Sequence, residues 1–410
     1  MKHTINTKKY ILSIIIPTKN RETYAYSCMM QILNSTKEDV QLVIQDNSDT
    51  NSLICKFKDS QFIDRIKYNY SNDTLSFVEN FSRGVAQADG EYLCIIGDDD
   101  GINPEIVKFV HWAKENNVEA VIPKLRLNYI WPNTGISNFK NDNGNLIIND
   151  FNIEAQYYDT KVELIKLLNS GGQNYLNYNL VKIYHGIVKK SAIDKVKAIT
   201  GNYFGGLSPD IYSSVALSLV IKKVLKIDYP LTIPGVCSLS GSGQAATGRH
   251  VGNLEDAPQF VGHVNYKWSK LVPKFYSVET IWADSALAAF REMKEDDLIS
   301  KFSVPSLTAY CNYSYKEYKK IIDINYFEYN KNINFFKQKK NLYVAYLNGP
   351  LKDLVKRILA KITRKKNTIE KYDNVADIKN AQFIFEKFLI RKKLSIDNVI
   401  LLLNANKRES

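Results

Sequence analysis

The stretch EYLCIIGDDDGINP, residues 91–104, joins a short apolar run to three consecutive acidic residues and then to a proline that can open a helix. The apolar run is too short for a helix and has the composition of a buried strand. Three adjacent carboxylates after a buried strand repel one another, and a divalent cation held together with phosphate oxygens relieves that repulsion. A solvated acidic turn, with an aspartate capping the next helix, explains the same residues without a ligand.

The residues before this stretch alternate between strand-like and helix-like patterns. Leu12–Pro17 is apolar on both faces, as central strands of parallel sheets are, and Val40–Gln45 and Arg65–Tyr70 follow as further strands. Three helices are predicted around them, over Arg21–Asn34, Leu75–Ala88 and Pro104–Asn116. Strands separated by helices of about 10–15 residues predict an α/β fold with a parallel sheet and right-handed crossovers.

Three motifs follow one another in this region: LSIIIPTKNR at 12–21, VIQDNSD at 43–49 and the acidic stretch at 91–104. In this order and at these spacings, residues 11–125 resemble the GT-A glycosyltransferases of family 2. The resemblance implies a GT-A (Rossmann-like) nucleotide-sugar-binding domain. It also implies an enzyme that uses a nucleotide-diphosphate sugar and a divalent metal ion, Mg²⁺ or Mn²⁺.

The resemblance assigns roles to residues at the predicted strand ends. Pro17 and Thr18 would line the nucleotide pocket, and Asp46 would accept a hydrogen bond from the base. Asp98 would bind the ribose or the sugar, and Asp99 would hold the metal ion that bridges the two phosphates.

Two positions depart from the pattern of that family. Its common acidic motif begins with an aspartate where this chain has Gly97. The helix before the fourth strand often carries an Ala-Arg-Asn element that meets the pyrophosphate, and here Arg83 is the nearest candidate. An exposed helix arginine is the alternative interpretation of Arg83.

A carboxylate that removes the proton of an acceptor hydroxyl is also expected. Inverting members of the family place it at the start of a helix that follows the metal motif. In GGLSPDIYSSVALSLVIKK, residues 205–223, Asp210 lies at the start of a helix predicted over Leu207–Lys223. A first-turn acid stabilised by the helix dipole is the alternative interpretation. The weaker candidates for this base are Asp194, Asp228 and Glu255.

A loop rich in small residues, GVCSLSGSGQAATGRHVGN, covers residues 235–253. Such a segment can order over bound substrate and exclude water, and a plain flexible loop is the alternative. Some family members supply a late histidine to the metal, which makes His250 a second candidate metal ligand.

Positive charge is concentrated near the end of the chain. The net charge is +12, and the residues from Ser314 to Ser410 include 22 Lys and Arg against 10 Asp and Glu. The segment PLKDLVKRILAKITRKK, residues 350–366, predicts an amphipathic helix with one apolar stripe and a basic remainder. Such a helix suits an anionic membrane surface, and a helix packed on the neighbouring domain with a solvated basic face explains it equally well. No nucleic-acid-binding module accompanies it, so nucleic acid is not expected as a partner.

Composition limits the remaining possibilities. With 410 residues, 45% hydrophobic and 24% charged, the chain has the balance of a globular protein of two or three domains. Five cysteines without CxxC spacing argue against a disulfide framework or a structural zinc site and favour a reducing, cytoplasmic location. No apolar run is long enough to span a bilayer.

These observations predict three regions and one activity. Residues 1–125 would form the nucleotide-sugar-binding half of a GT-A domain, residues 126–272 its acceptor-binding half, and residues 273–410 a helical, basic C-terminal region. The chain would transfer a sugar from a nucleotide-diphosphate donor, such as a UDP-sugar, to a hydroxyl of a glycan or lipid-linked glycan during surface polysaccharide synthesis, with inversion. It would act in the cytoplasm or at the inner face of the cell membrane. A catalytically inert sugar- or membrane-binding scaffold and a nucleotidyltransferase are the alternatives.

Overall fold

The computed structural model describes residues 10–132, 134, 143–238, 251–260, 266–362 and 369–408. Its strands are β1 (Leu12–Thr18), β2 (Val40–Asp46), β3 (Ile66–Tyr70), β4 (Tyr92–Ile95), β5 (Gly101–Ile102), β6 (Ala120–Pro123), β7 (Leu127–Pro132), β8 (Asn143–Asn149), β9 (Ala155–Asp159), β10 (Ile187–Lys189), β11 (Lys223–Ile227), β12 (Thr232–Ile233), β13 (Gly235–Val236), β14 (Val251–Gly252), β15 (Tyr276–Ser277) and β16 (Ile369–Asp373).

The helices of the described residues follow the same numbering. They are α1 (Glu22–Ser35), α2 (Phe77–Ala86), α3 (Glu105–Glu115), α4 (Thr160–Asn169), α5 (Lys190–Thr200), α6 (Pro209–Val220), α7 (Val278–Glu292), α8 (Asp296–Ile299), α9 (Val304–Ser314), α10 (Lys319–Tyr329), α11 (Phe335–Tyr346), α12 (Lys352–Ile362), α13 (Ile378–Lys392) and α14 (Ile396–Arg408).

The main sheet has the strand order β3-β2-β1-β4-β10-β6-β11-β9. Strands β1 to β4 pair in parallel, as the sequence predicts, with Thr18 opposite Asp46 and Leu12 opposite Tyr92. Every residue of β1 is buried, which explains why its sequence is apolar on both faces. This register brings the carboxyl ends of β1, β2 and β4 to one edge of the sheet.

Two strands that come later in the chain run against this direction. Strand β10 is antiparallel to both β4 and β6, and β9 is antiparallel to β11. Just before β10, the backbone N–H of His185 donates to the carbonyl of Ile95 at the end of β4 (2.9 Å). Because β10 therefore starts at the carboxyl edge, the residues before it approach the acidic stretch.

The predicted helix over Leu207–Lys223 is too long at its C-terminal end. Helix α6 ends at Val220, and Lys223 begins β11, which pairs in parallel with β6 and antiparallel with β9. The short alternating run after the helix becomes a strand because two sheet neighbours complete its hydrogen bonds.

Helices cover both faces of the main sheet. Ile14 and Ile16 face a core formed with α1, α3, α13 and α14, whereas Ile15 faces a second core formed with α2 and α4 to α10. Helices α13 and α14 therefore complete the core of the first half of the chain. The C-terminal residues also supply β16, the edge strand of a second sheet ordered β13-β7-β8-β16.

Helices α10 to α12 do not contribute to the core that α13 and α14 complete, and they expose many apolar side chains. The predicted basic helix over residues 350–366 is observed as α12, and residues 363–368 lie outside the described ranges. Within the described residues, no helix combines the length and the apolar character that crossing a membrane requires.

Candidate active site

The carboxyl edge of the main sheet collects the residues that the sequence predicts there. Thr18 ends β1, Asp46 ends β2, and both side chains are buried. The Asp46 carboxylate accepts from the backbone N–H of Ser48 (2.9 Å) and from the hydroxyl of Tyr68 (2.8 Å), so its position is held from two sides. Pro17 lies one residue before the end of β1 and is buried opposite Gln45.

Asp98 is fully buried and lies between two partners from the β1–α1 segment. The Thr18 hydroxyl donates to one carboxylate oxygen (2.5 Å), and a guanidinium nitrogen of Arg21 lies 2.9 Å from the other. Burial raises the pKa of Asp98, and Arg21 opposes that rise.

Arg21 is a residue of this site to which the sequence alone assigned no role. Its guanidinium lies 3.7 Å from Asp99 as well, so one largely buried cation faces two buried carboxylates. The presence of three adjacent acids already implied a counter-charge, and Arg21 ends the first motif of the resemblance. Only the folded chain shows that the two motifs meet.

Asp99 is held mainly through its backbone and one carboxylate oxygen. The backbone N–H of Cys237 donates to that oxygen (3.1 Å), and the indole N–H of Trp131 donates to the Asp99 carbonyl (2.8 Å). Burial and repulsion by Asp100 raise the pKa of Asp99, which means that its negative charge is incompletely compensated.

The hydrogen-bond partners of Asp100 differ from those of Asp98 and Asp99. Its carboxylate accepts from the backbone N–H groups of Gly97 (2.6 Å) and Gly235 (2.7 Å), and from the hydroxyl of Tyr184 (3.2 Å). The imidazole of His185 lies 3.3 Å away. Because both oxygens are occupied, Asp100 ties the acidic turn to the loop before β13.

Close packing explains why residue 97 is a glycine. A Cβ atom there would lie 2.9 Å from the Tyr184 hydroxyl and 3.0 Å from carboxylate oxygens of Asp99 and Asp100. A side chain at this position would therefore displace Tyr184 or one of the two carboxylates.

One of these carboxylates is available to a metal ion. Within the described ranges, no group of three His, Cys, Asp or Glu side chains is arranged to hold a metal ion. Asp98 is engaged by Thr18 and Arg21, and Asp100 accepts three hydrogen bonds. Asp99 accepts one, from the Cys237 backbone, and is the most available of the three carboxylates. One carboxylate fits an ion such as Mg²⁺, which binds through one or two carboxylates together with substrate phosphates. His250 lies outside the described residues.

Asp210 lies in the first turn of α6 and faces a cavity of about 340 Å³. No described residue forms a hydrogen bond with its carboxylate, and burial raises its pKa to about 6. Desolvation disfavours the ionised form, in the direction opposite to the effect of a helix N-terminus. Tyr184 also lines the cavity and donates a hydrogen bond to Asp100 (3.2 Å), so its side chain reaches both the acidic turn and the cavity.

Arg83 does not contact the three acidic residues. Its guanidinium donates to Ser71 (2.9 Å) and pairs with exposed Asp73 (3.3 Å), in the loop that follows β3. The same loop contacts Asn47, next to Asp46, through a hydrogen bond from the Asn47 amide to the Ser71 carbonyl (2.8 Å). Arg83 therefore lies at the outer rim of the site.

The weaker candidates for the base have other partners or are exposed. Asp194 is paired with Lys190 on α5 (3.0 Å). Asp228 is buried against Arg126 and Lys124, which lower its pKa. Glu255 is exposed in a single helical turn after β14. Asp210 thus differs from all three in being both shielded from solvent and unpaired among the described residues.

Comparison with known proteins finds similarity in the first part of the chain. Residues 13–150 match the model of a family described as glycosyl transferase family 2. Over 96 residues the chain is 31% identical to GalNAc(5)-diNAcBac-PP-undecaprenol beta-1,3-glucosyltransferase of Campylobacter jejuni, covering 22% of this chain and 29% of that protein. Over 115 residues it is 22% identical to glycosyltransferase GlyG of Streptococcus pneumoniae, covering 27% of this chain and 38% of that protein. The matches thus span well under half the length of both relatives.

Among solved structures, the chain is similar to Staphylococcus aureus TarS 1–349 in complex with UDP-GlcNAc. The TM-score is 0.47 at 12% identity, and the match covers 82% of this chain and 89% of that one. The fold class predicted from the sequence, a GT-A α/β domain followed by a largely helical C-terminal region, is confirmed.

Proposed function

We propose that this chain, which carries a family 2 glycosyltransferase domain of the GT-A fold, transfers one sugar from a nucleotide-diphosphate donor, UDP-linked, to a hydroxyl of a lipid-linked glycan. The observation that carries the proposal is that Tyr184 contacts the buried acidic turn of Asp98, Asp99 and Asp100 and also lines the cavity that unpaired Asp210 faces. A donor bound at Asp98 and Asp99 would present its sugar towards Asp210.

The donor would occupy the carboxyl edge of the sheet. Asp46, held by Tyr68 and the Ser48 backbone, is proposed to accept from the nucleotide base, with Pro17 and Thr18 lining that pocket. Asp98 is proposed to bind the ribose or the sugar, in exchange for part of its pairing with the Arg21 guanidinium.

Arg83 is proposed as an outer contact of the diphosphate. Its guanidinium is partly exposed and pairs with a surface carboxylate, so a rotation of the side chain exchanges Asp73 for a phosphate oxygen.

Asp99 is the proposed ligand of Mg²⁺ or Mn²⁺, with His250 as a second ligand. When bound, the ion would neutralise charge on the departing diphosphate as a Lewis acid. The incompletely compensated charge of buried Asp99 supports this assignment, because a cation beside it stabilises the ionised carboxylate.

Asp210 is the proposed general base. The acceptor hydroxyl oxygen attacks the anomeric carbon, and its proton passes to the Asp210 carboxylate. The new glycosidic C–O bond forms as the bond from the anomeric carbon to the diphosphate oxygen breaks, and the bonding pair leaves with the nucleoside diphosphate. Attack from the face opposite the leaving group inverts the anomeric configuration.

A lipid-linked acceptor is supported by two observations. The Campylobacter relative is named for a glycan linked through diphosphate to undecaprenol. In addition, α11 and α12 expose apolar side chains among basic ones: Phe336 is 81% exposed, and Val355 and Ile358 are 47% and 48% exposed. We propose that this C-terminal surface, residues 335–359, docks on an anionic membrane.

Thermal unfolding with nucleoside diphosphates tests the donor site. With Mn²⁺ present, one nucleotide at 100 times its Kd should stabilise the wild-type protein by about 2.7 kcal/mol. Asp99→Asn should lose the Mn²⁺-dependent part of that shift, whereas Asp210→Asn and the surface control Asp194→Asn should keep it. A wild-type protein that no nucleoside diphosphate stabilises would contradict the proposal.

Sugar transfer tests the base separately. Incorporation of radiolabel from UDP-sugars into a lipid-linked glycan extract should fall at least about 100-fold in Asp210→Asn, because general-base catalysis contributes roughly that factor or more. Asp194→Asn should retain the wild-type rate. Near-normal transfer by Asp210→Asn would show that another group takes the proton, and nucleotide binding without any transfer would favour the scaffold alternative.

A further inference from the structure

The cavity beside Asp210 has a strongly basic lining. Four cationic side chains from three segments contribute to it: Lys124 and Arg126 after β6, Lys182 before β10, and Lys226 on β11. Asp210 is the one acidic residue in the lining. The excess of positive charge in a partly enclosed space is a feature that the proposed proton transfer does not itself require.

Two of these cations are neutralised inside the protein. Arg126 forms a bidentate pair with buried Asp228, with both N–O distances at 2.7 Å, and Lys124 lies 2.9 Å from the same carboxylate. Both cations lower the pKa of Asp228, as expected for a carboxylate that shares two positive charges. Lys124 and Arg126 therefore have a structural explanation.

Lys182 and Lys226 are not neutralised in this way. The Lys182 ammonium donates to the carbonyl of Leu176 (3.2 Å), and the Lys226 ammonium donates to the amide oxygen of Asn179 (2.7 Å). Among the ion pairs of the described residues, none includes either lysine. Both lysines lie in the wall of the cavity and are partly buried.

The electrostatic surroundings of the two lysines disfavour their charged forms. Burial and the neighbouring Lys226 charge lower the pKa of Lys182 to about 8. The pKa of Lys226 is lowered by burial and by Lys124, although Glu163 and Asp228 oppose the effect. A bound anion would remove this repulsion, because an opposite charge nearby favours the protonated ammonium.

We propose that Lys182 and Lys226 bind an anionic group, a phosphate or a carboxylate, of the sugar acceptor. The inference rests on the proposed function and specifies its acceptor as an acidic glycan or a polyol phosphate rather than a neutral sugar. Tyr175 and Tyr178 line the same cavity and offer aromatic faces against which a sugar ring can pack.

The position of the cavity favours the acceptor over the donor diphosphate as the source of the anion. Asp210 and Tyr184 line the cavity, but Thr18, Asp98 and Asp99 do not. The cation that accompanies Asp98 and Asp99 is Arg21, which does not line the cavity. A hydroxyl next to Asp210 and an anion at the two lysines can therefore belong to one acceptor.

Ligand-observed NMR with matched pairs of small molecules tests the proposal. Glycerol 3-phosphate and glucuronate are the anionic probes, and glycerol and glucose are their neutral counterparts. We expect the wild-type protein to bind at least one anion and neither neutral probe. Lys182→Gln and Lys226→Gln should each weaken that binding about tenfold or more, as loss of a charge-assisted contact does, while Lys182→Arg retains it. Lys190→Gln, which removes a lysine paired with Asp194, is the control.

UDP binding to the same variants separates the two sources of anion. Unchanged UDP affinity in Lys182→Gln and Lys226→Gln, together with weaker anion binding, supports an acceptor site. Weaker UDP binding with no loss of the small anions would assign the lysines to the donor and overturn the proposal. If no nucleotide binds to the wild-type protein, the proposed function fails, and the anion titration still decides whether the cavity is an anion site.

A labelling experiment on the wild-type protein needs no variant. With its lowered pKa, Lys182 should be acetylated by an N-hydroxysuccinimide ester at pH 8 faster than Lys190, as measured by peptide mass spectrometry. Glycerol 3-phosphate or glucuronate should protect Lys182 and Lys226 and leave Lys190 unprotected. Equal labelling with and without both anions would contradict the proposal.

Discussion

At the scale of single residues, Arg21 balances two buried acids. Asp98 has no exposed surface and Asp99 almost none, so removing the guanidinium leaves negative charge uncompensated in the interior. We expect Arg21→Gln to lower the free energy of unfolding by about 3–5 kcal/mol, the usual cost of breaking a buried ion pair on one side. Urea denaturation measures the change.

The matched control for this variant is Arg83→Gln. Arg83 pairs with an exposed carboxylate, so its loss should change stability by no more than about 0.5 kcal/mol. If both substitutions lowered the free energy of unfolding equally, the buried ion pair of Arg21 would contribute no more to stability than the exposed pair of Arg83.

Asp210 should make stability depend on pH. Because its pKa is raised from 3.8 to about 6, the folded protein loses stability as pH rises through this range and stays less stable above it. Asp210→Asn removes the ionised form and should stabilise the protein by about 3 kcal/mol at pH 8, but by only about 1 kcal/mol at pH 4.5.

Urea unfolding of Asp210→Asn at the two pH values measures this difference. Asp194→Asn, which alters an exposed aspartate paired with Lys190, should not stabilise the protein at either pH. A gain for Asp210→Asn that is the same at pH 4.5 and pH 8 would mean that the carboxylate is not desolvated.

Individual acidic residues of the site are predictable from the sequence because strand ends place them. Asp46 and Asp98 follow apolar runs, and the parallel sheet sends both to one edge. Arg21 and Tyr184 are different, since their partners lie far along the chain and only the folded sheet brings them to the acidic turn. Lys182 and Lys226 likewise gain their significance from a cavity that no local pattern reveals.

At the scale of elements, the turn into β13 is packed directly against the acidic turn. The backbone N–H of Gly235 donates to Asp100 (2.7 Å), and a Cβ atom at Gly235 would lie 1.8 Å from the Asp99 carbonyl oxygen. Gly235→Ala therefore forces backbone to move. We expect a loss of about 1–3 kcal/mol in stability and loss of the Mn²⁺-dependent nucleotide shift.

Gly252→Ala is the corresponding control, because the nearest atom to its added Cβ lies 3.9 Å away. Thermal unfolding with and without nucleotide measures both variants. If Gly235→Ala kept the wild-type stability and nucleotide shift, the close contact between the two turns would not be needed to position Asp99.

The elements themselves are predictable to different degrees. Strands β1, β2 and β4 are predicted within one or two residues because their burial on both faces produces continuous apolar runs. Strands β11 and β16 were missed, since each is short and partly exposed and acquires its structure from a partner distant in sequence. Local propensity carries little information where pairing determines the structure.

At the scale of the whole molecule, the basic C-terminal region divides into two parts. Helices α13 and α14 return to the first half of the chain, where Gln382 accepts from Gln31 (2.6 Å) and Asn404 accepts from Trp112 (3.0 Å). From composition, residues 273–410 were predicted to form one basic, helical region. The long-range contacts show that α13 and α14 are the part of it that completes the core of the first half of the chain. The positive charge left at the surface is then concentrated on α11 and α12.

The surface formed by residues 335–359 should bind anionic vesicles. It has six basic residues against one acidic residue, and Phe336 and Ile358 project apolar atoms among them. We expect the full chain to float with vesicles that contain phosphatidylserine and not with neutral phosphatidylcholine vesicles. Raised salt should release it, because screening weakens an attraction of about 1 kcal/mol per basic residue.

Substitutions at this surface separate membrane docking from contact between two protein chains. Phe336→Asp and Ile358→Asp should each reduce flotation about tenfold or more, because each places a carboxylate where an apolar side chain meets an anionic surface. Ile390→Asp, at a residue of α13 that is 77% exposed, should have no effect on flotation. Sedimentation of the same proteins tests the alternative, contact between two chains. If the wild-type chain is a dimer that dissociates in Phe336→Asp, and if it does not float with vesicles, the surface serves self-association. If the wild-type chain floats as a monomer, both surface variants lose flotation and Ile390→Asp keeps it, the surface docks on a membrane. The proposed acceptor site would then lie within reach of a lipid-linked glycan.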